Sequence, residues 1–226
     1  MGTITLCGIL HEKNLTQVGY TRGCIHPLVQ PIFDQLIVPK MTSNSVVIME
    51  GHSHVAGPTD PIYHNSLWSL GDYAAKTAFP MRIVGCDPRG GSTRREDESI
   101  ANCHIAEKAV IEKVSFNALP KSYDELIAYI RAKKCAYSLV TALTGSERKA
   151  IKAYRSSAIA FDAFCVRRIR ENSAYDRLVI AGLVHCLRLH VQHDWNLEFL
   201  VPEEVCSEKT FGQLFMAYFA AYLWSS

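Results

Sequence analysis

The segment "SVVIMEG" (45–51) is the most informative part of the sequence, because an apolar run stops abruptly on a charged residue. Four consecutive apolar residues are typical of a strand that is buried on both faces, as strands are in parallel α/β sheets. The run ends on Glu50, and carboxylates are almost never fully buried without a partner. Packing explains the apolar residues, but it does not explain why the carboxylate follows them directly.

Strand and helix patterns alternate along the rest of the chain. Strands are predicted at 3–8, 45–51, 81–87 and 177–182, with a fifth at 197–201. Helices are predicted at 26–40, 65–78, 104–114, 122–134, 145–172 and 208–224. This alternation predicts an α/β fold with a central, mostly parallel sheet flanked by helices. We expect residues 1–226 to form a single domain, in which 100–172 is a helical cap or insert before the strand at 177–182.

Composition and charge exclude several classes of function. The 226 residues include 24 basic and 22 acidic side chains, a balance that favours neither a nucleic-acid surface nor a membrane-binding face. No segment has the length of a membrane span, and the N-terminal residues lack a signal-peptide pattern. The eight cysteines contain no C-x-x-C pair. We therefore expect a reduced, cytoplasmic protein without structural zinc or disulfides. Nothing in the sequence indicates the oligomeric state.

Charged or titratable side chains follow the four main predicted strands. They are His11, Glu50, Asp87, Arg89 and His185. Because ligands bind at the carboxyl ends of parallel strands, these side chains are predicted to line one pocket. Both histidines stand three residues after a glycine, in "GILH" (8–11) and "GLVH" (182–185). A glycine at these positions permits a sharp turn or close approach of the backbone.

Two more histidines alternate with the carboxylate in "EGHSH" (50–54). On an extended segment, Glu50, His52 and His54 would point in the same direction. His52 and His54 are therefore predicted to contact the substrate, as is Asp87. Either histidine is also an alternative ligand for a metal bound at this end of the sheet.

The joint pattern resembles the superfamily that contains TraB and Tiki-type proteins, erythromycin esterase-like enzymes and ChaN-like proteins. The segments that carry the resemblance are "GILH" (8–11), "VVIMEG" (46–51) and "VIAGLVH" (179–185). In addition, "RIVGCDPR" (82–89) looks like the esterase-like branch, where a strand ends in an acidic residue close to the pocket. The resemblance implies an α/β fold with a histidine motif after the first strand and a glutamate at the end of the second.

Two mechanisms of hydrolysis fit these residues. In the first, His11, Glu50 and His185 bind a divalent metal (Zn, Mn, Co or Fe) that lowers the pKa of a bound water. In the second, no metal takes part, and Glu50 or a histidine acts as general base while another histidine protonates the leaving group. Arg89 then stabilises the oxyanion or holds an anionic group of the substrate. Both predict a water-activating hydrolase, esterase-like or metallopeptidase-like, which cleaves an ester, amide or lactone in a small molecule or peptide.

Two alternatives do not involve catalysis. The same pocket would bind haem or a small signalling molecule without turnover, as the resemblance to ChaN-like proteins implies. Alternatively, the charged loop at 87–99 and the helical segment after it would bind a partner protein. The nearly neutral net charge gives no support to the second of these alternatives.

Overall fold

The computed structural model shows a sheet with helices packed against it. It describes residues 2–9, 29–50, 55–56, 82–87, 122, 124–125, 127–128 and 145–200. The strands are β1 (Ile4–Ile9), β2 (Ser45–Met49), β3 (Val55–Ala56), β4 (Arg82–Gly85), β5 (Asp176–Gly182) and β6 (Asn196–Phe199). The helices are α1 (Val29–Leu36), α2 (Gly145–Glu171) and α3 (Leu183–His193), and a 3₁₀ helix at Val38–Lys40 follows α1.

The strands form one sheet in the order β3-β4-β2-β5-β1-β6. Five strands run parallel to one another, and β3 alone is antiparallel, paired with β4. Parallel neighbours need long crossover connections, which helices usually provide. In this chain α2 lies between β4 and β5, and α3 lies between β5 and β6. The predicted α/β fold with a mostly parallel sheet is therefore confirmed.

Helices cover both faces of the sheet, which explains the long apolar runs in its central strands. On one face, Val47 and Met49 of β2 belong to a buried cluster with Phe33 and Ile37 from the α1 segment. The other face is covered by α3, which packs on β1 and β5, and by α2, which contacts β2. Side chains alternate along a strand, so Glu50 projects to the side opposite Met49, toward α2 and α3.

The two glycines of the G-x-x-H pattern have different roles. β1 continues through Gly8 to Ile9, so Gly8 lies inside the strand rather than at a turn. A Cβ atom at Gly8 would lie 2.8 Å from Leu183 Cδ1 and 3.4 Å from Cys186 Cβ, so the missing side chain makes room for α3. Gly182 ends β5 and is the N-cap residue of α3, which is the sharp turn that the sequence predicted.

Other predicted elements are observed in part. The helix predicted at 26–40 appears as α1 followed by the 3₁₀ helix, which contains Pro39. At the start of the helix predicted at 122–134, Ser122 Oγ accepts a hydrogen bond of 3.2 Å from the Glu125 N–H, as its capping pattern predicted. The helices predicted at 65–78, 104–114 and 208–224 lie outside the described residues. Among the described helices, none is both long and apolar enough to cross a membrane.

Candidate active site

Glu50 is fixed at the carboxyl edge of the sheet by both its backbone and its side chain. Its N–H donates to the Ile180 carbonyl at 3.0 Å, which continues the pairing of β2 with β5. Its Oε2 accepts a hydrogen bond of 2.6 Å from the Gly182 N–H, and the residue is only 4% exposed. Because Gly182 caps the N-terminus of α3, the positive end of the helix dipole stabilises the charge on the carboxylate.

His185 lies one turn into α3, on the same face of the helix as Gly182. Its Nε2 is 3.4 Å from Glu50 Oε1, and 14% of its side chain is exposed. Residues three apart on a helix are neighbours, so the turn that brings Gly182 to Glu50 also brings the imidazole there. The structure thus places two of the predicted site residues together, although they are far apart in sequence.

A buried ion pair lies behind the imidazole. Arg188 binds Asp162 in a bidentate manner, with 2.7 Å from Nε to Oδ2 and 2.6 Å from Nη2 to Oδ1. Arg188 is 1% exposed and Asp162 is 8% exposed. Arg188 Nη2 also lies 2.6 Å from His185 Nδ1, while Asp162 Oδ1 is 3.8 Å from the same nitrogen. Both ring nitrogens of His185 therefore have charged neighbours.

An aromatic ring packs against one face of the His185 imidazole and limits its movement. Phe161 of α2 packs on His185 with 3.8 Å between the ring centroids and 30° between the ring planes. Phe161 is almost fully buried. With Arg188 next to Nδ1 and Glu50 next to Nε2, the ring of His185 is held from three directions.

The environment of Asp162 favours its charged form. Burial alone would raise the pKa of this carboxyl group, but the hydrogen bonds and positive charge of Arg188 outweigh burial and lower the pKa. Asp162 consequently binds fewer protons in the folded state than in the unfolded state at acid pH. Its contribution to stability is complete above the ordinary aspartate pKa of about 3.9 and is lost as the pH falls through the lower, folded-state pKa.

Acid unfolding should reveal this contribution. Below about pH 4, the free energy of unfolding should fall more steeply with decreasing pH for the wild-type chain than for Asp162→Asn. Denaturant titrations of both proteins at a series of pH values measure the difference. Asp176 also has a lowered pKa, because of hydrogen bonds from Thr3, but it is present in both proteins and its contribution cancels. If the free energy of unfolding falls equally steeply in both proteins below about pH 4, the pH-dependent contribution does not come from Asp162.

Buried cysteines lie close to the site but are poor nucleophiles. Cys86, Cys165 and Cys186 are fully buried, and all are free thiols. Burial raises the pKa of both Cys86 and Cys186 well above that of an ordinary thiol. Because the thiolate is the reactive form, Cys86 and Cys186 remain unreactive at neutral pH. Among the described residues, the cysteines next to the site therefore do not favour covalent catalysis.

The remaining predicted site residues are placed only in part. Asp87 is buried and lies two residues beyond β4, the neighbour of β2, at the same edge of the sheet as Glu50. The other four lie outside the described residues: His11, His52, His54 and Arg89. Their predicted roles in catalysis and substrate binding stay predictions.

The described residues do not by themselves make a metal site. Within the described ranges, no group of three or more His, Cys, Asp and Glu side chains is arranged to hold a metal ion. Glu50 and His185 would supply two ligands, and the third predicted ligand, His11, is outside these ranges. Moreover, a metal-bound imidazole normally donates through its second nitrogen, whereas the second nitrogen of His185 faces the guanidinium of Arg188.

The sequence prediction missed Asp162 and Arg188, although both leave a signal in the sequence. Each is a charged residue in an apolar helical run, in "AIAFDAFC" (158–165) and "HCLRLH" (185–190). A charge on the buried face of a helix needs a partner. Arg188 also stands three residues after His185, which puts it on the same helix face. The pairing itself depends on how α2 packs beside α3.

No family model matches the chain, and no match was found among curated proteins or solved structures. The assignment of a function therefore depends on the geometry of the site and on the motifs in the sequence.

Proposed function

We propose that the chain is a hydrolase in which Glu50, supported by His185, activates a water molecule that cleaves an ester, amide or lactone in a small molecule or peptide. The observation that supports this proposal most directly is the distance of 3.4 Å between Glu50 Oε1 and His185 Nε2 at the carboxyl edge of a parallel sheet. This edge is where α/β folds of this kind bind their ligands.

The energetic cost of the arrangement also supports a functional role. Two carboxylates, a guanidinium and an imidazole are gathered in a nearly buried cluster, formed by Glu50, Asp162, Arg188 and His185. Removing charges from water is expensive, and apolar residues of similar volume often give equal or greater stability. Buried titratable groups with specific charged partners, placed at a sheet edge, are typical of catalytic sites.

The proposed reaction uses the carboxylate of Glu50 as general base. Glu50 takes a proton from water while the hydroxyl oxygen adds to the carbonyl carbon, giving a tetrahedral oxyanion. When the intermediate collapses, the bond to the leaving oxygen or nitrogen breaks, and the leaving group takes the proton from Glu50. This step regenerates the carboxylate and releases a carboxylic acid with an alcohol or amine. His185 holds the carboxylate in place throughout.

The first test is turnover by the purified wild-type chain. A panel with an uncharged nitrophenyl ester, a lactone and a peptide nitroanilide represents the three bond types. We expect hydrolysis of at least one of them, and we expect His185→Gln to slow it, because the glutamine cannot hold Glu50 in the same position. Repeating each assay with chelator, and then with added Zn, Mn, Co or Fe, shows whether a metal contributes.

Two results would contradict the proposal. One is the absence of turnover by the wild-type chain on every bond type, with and without the metals. The other is turnover that His185→Gln and Glu50→Gln leave unchanged, because the activity would then come from another site. Binding of haem or a small molecule without turnover would instead support the alternative that the sequence left open.

A further inference from the structure

We infer that Arg188 and Asp162 are positioning residues that keep the proton of His185 on Nε2, so that Glu50 is the base of this site and the N–H of His185 faces its carboxylate. The inference concerns the same pocket, and it rests on the proposed function only for its effect on turnover. The placement of the proton itself follows from the contacts of three side chains.

The contact between Arg188 and His185 determines which ring nitrogen carries the proton. Arg188 Nη2 is 2.6 Å from His185 Nδ1, which is hydrogen-bond distance. A guanidinium has only donors, so Nδ1 must accept, and a nitrogen that accepts carries no proton. A neutral imidazole has one N–H, which is therefore on Nε2. That nitrogen faces the carboxylate of Glu50 at 3.4 Å.

Asp162 keeps the guanidinium in this position. Its two carboxylate oxygens bind Nε and Nη2 of Arg188. The guanidinium therefore cannot rotate away from His185 without breaking both hydrogen bonds. Arg188 is 1% exposed, so water is not a ready substitute for either bond. Among the described residues, His185 therefore links the ion pair to Glu50, and neither member of the pair needs to touch the substrate.

The carboxylate of Asp162 would also favour the opposite tautomer of His185, in which Nδ1 carries the proton. Asp162 Oδ1 lies 3.8 Å from Nδ1 and is an acceptor for a proton on that nitrogen. Without Arg188, a small movement would let Nδ1–H donate to Asp162. The lone pair of Nε2 would then face the negative charge of Glu50, and the carboxylate would keep the Gly182 N–H but lose the imidazole N–H that faces it. Arg188 thus selects between two protonation patterns of one histidine.

Nitrogen NMR of the wild-type chain tests the inference without any substrate. In protein with ¹⁵N-labelled histidine, one imidazole should show a pyridine-like Nδ1 and a protonated, pyrrole-like Nε2 at neutral pH. The His185→Gln variant identifies this imidazole, because its signals disappear there. A protonated Nδ1 on His185, or protons on both ring nitrogens, would overturn the inference.

Two substitutions separate positioning from simple support of the fold. Arg188→Met should move the proton of His185 to Nδ1 and lower kcat by about 100-fold with little change in KM. Arg188→Lys keeps a donor next to Nδ1 and should restore the wild-type tautomer and much of the activity. If Arg188→Met lowers stability but leaves the tautomer unchanged, the residue is only structural and the inference fails. If that variant does not fold, the spectrum of the wild-type chain decides.

The outcomes for the two proposals are distinguishable. An Nε2-protonated His185 in a chain that hydrolyses nothing would support the positioning role and contradict the hydrolase. Hydrolysis that depends on Glu50, together with a proton on Nδ1 of His185, would support the hydrolase and overturn the positioning role.

Discussion

Replacing Arg188 with methionine should lower the free energy of unfolding by about 3 kcal/mol. The substitution keeps most of the side-chain volume but leaves Asp162 buried without the cation that binds both of its oxygens. Breaking one half of a buried ion pair costs more than the pair contributes, because the remaining charge has lost its solvation and its partner. Denaturant titration at neutral pH measures the loss.

Two controls show whether the loss of stability comes from the unpaired charge of Asp162. In Asp162→Ala/Arg188→Met both charges are absent, so this double variant should be more stable than Arg188→Met alone. Arg177 is also buried, but among the residues that the structure describes it donates to the carbonyls of Ile169 and Gly2 and to no carboxylate. Arg177→Met should therefore cost less than Arg188→Met. A double variant that is less stable than Arg188→Met would contradict the explanation.

Glu50→Gln should reduce hydrolysis by about 10²–10⁴-fold, the usual contribution of a general base. The amide has the shape of the carboxylate but cannot take a proton from water. It can accept a hydrogen bond through only one of its two atoms, whereas the carboxylate faces the Gly182 N–H and His185 at the same time. We therefore expect the variant to fold with a loss of about 1 kcal/mol. Steady-state rates and denaturant titrations measure the two effects.

Glu198→Gln is the matched control for this substitution. Glu198 is in β6, at the end of the sheet away from β3, and it pairs with Lys40 rather than with the site. The same chemical change there should leave hydrolysis within a few-fold of wild type. Equal effects of the two substitutions on kcat would show that Glu50 has no special role, and that result would refute its assignment as the base.

The sequence predicted the sheet well because parallel strands leave a strong signal. Strands with both faces buried contain long runs of consecutive apolar residues, so β2 and β5 stand out from the amphipathic segments around them. The meeting of Glu50 and His185 was predictable for a related reason. Both follow parallel strands, and the ends of parallel strands lie at one edge of a sheet whatever their distance in sequence.

Other features required the three-dimensional arrangement. β3 has only two residues, too few for any periodic pattern, so it was not predicted. The pairing of Asp162 with Arg188 depends on how far α2 is shifted and rotated against α3, and helical periodicity does not contain that information. A charge on the buried face of a helix needs a partner, but nothing in the sequence shows that these two residues are partners of each other or neighbours of His185.

The central position of β5 determines the order in which the protein can assemble during synthesis. β5 pairs with β2 on one side and with β1 on the other, although both of these strands precede it by more than a hundred residues. Pairings between distant segments form slowly, because the intervening chain must first be closed into a loop. Until residues 176–182 leave the ribosome, β1 and β2 lack the strand that joins them. A nascent chain in which residues 176–182 have not yet emerged therefore presents unpaired edges of apolar strands, which are templates for aggregation, and this interval is the vulnerable stage of its folding.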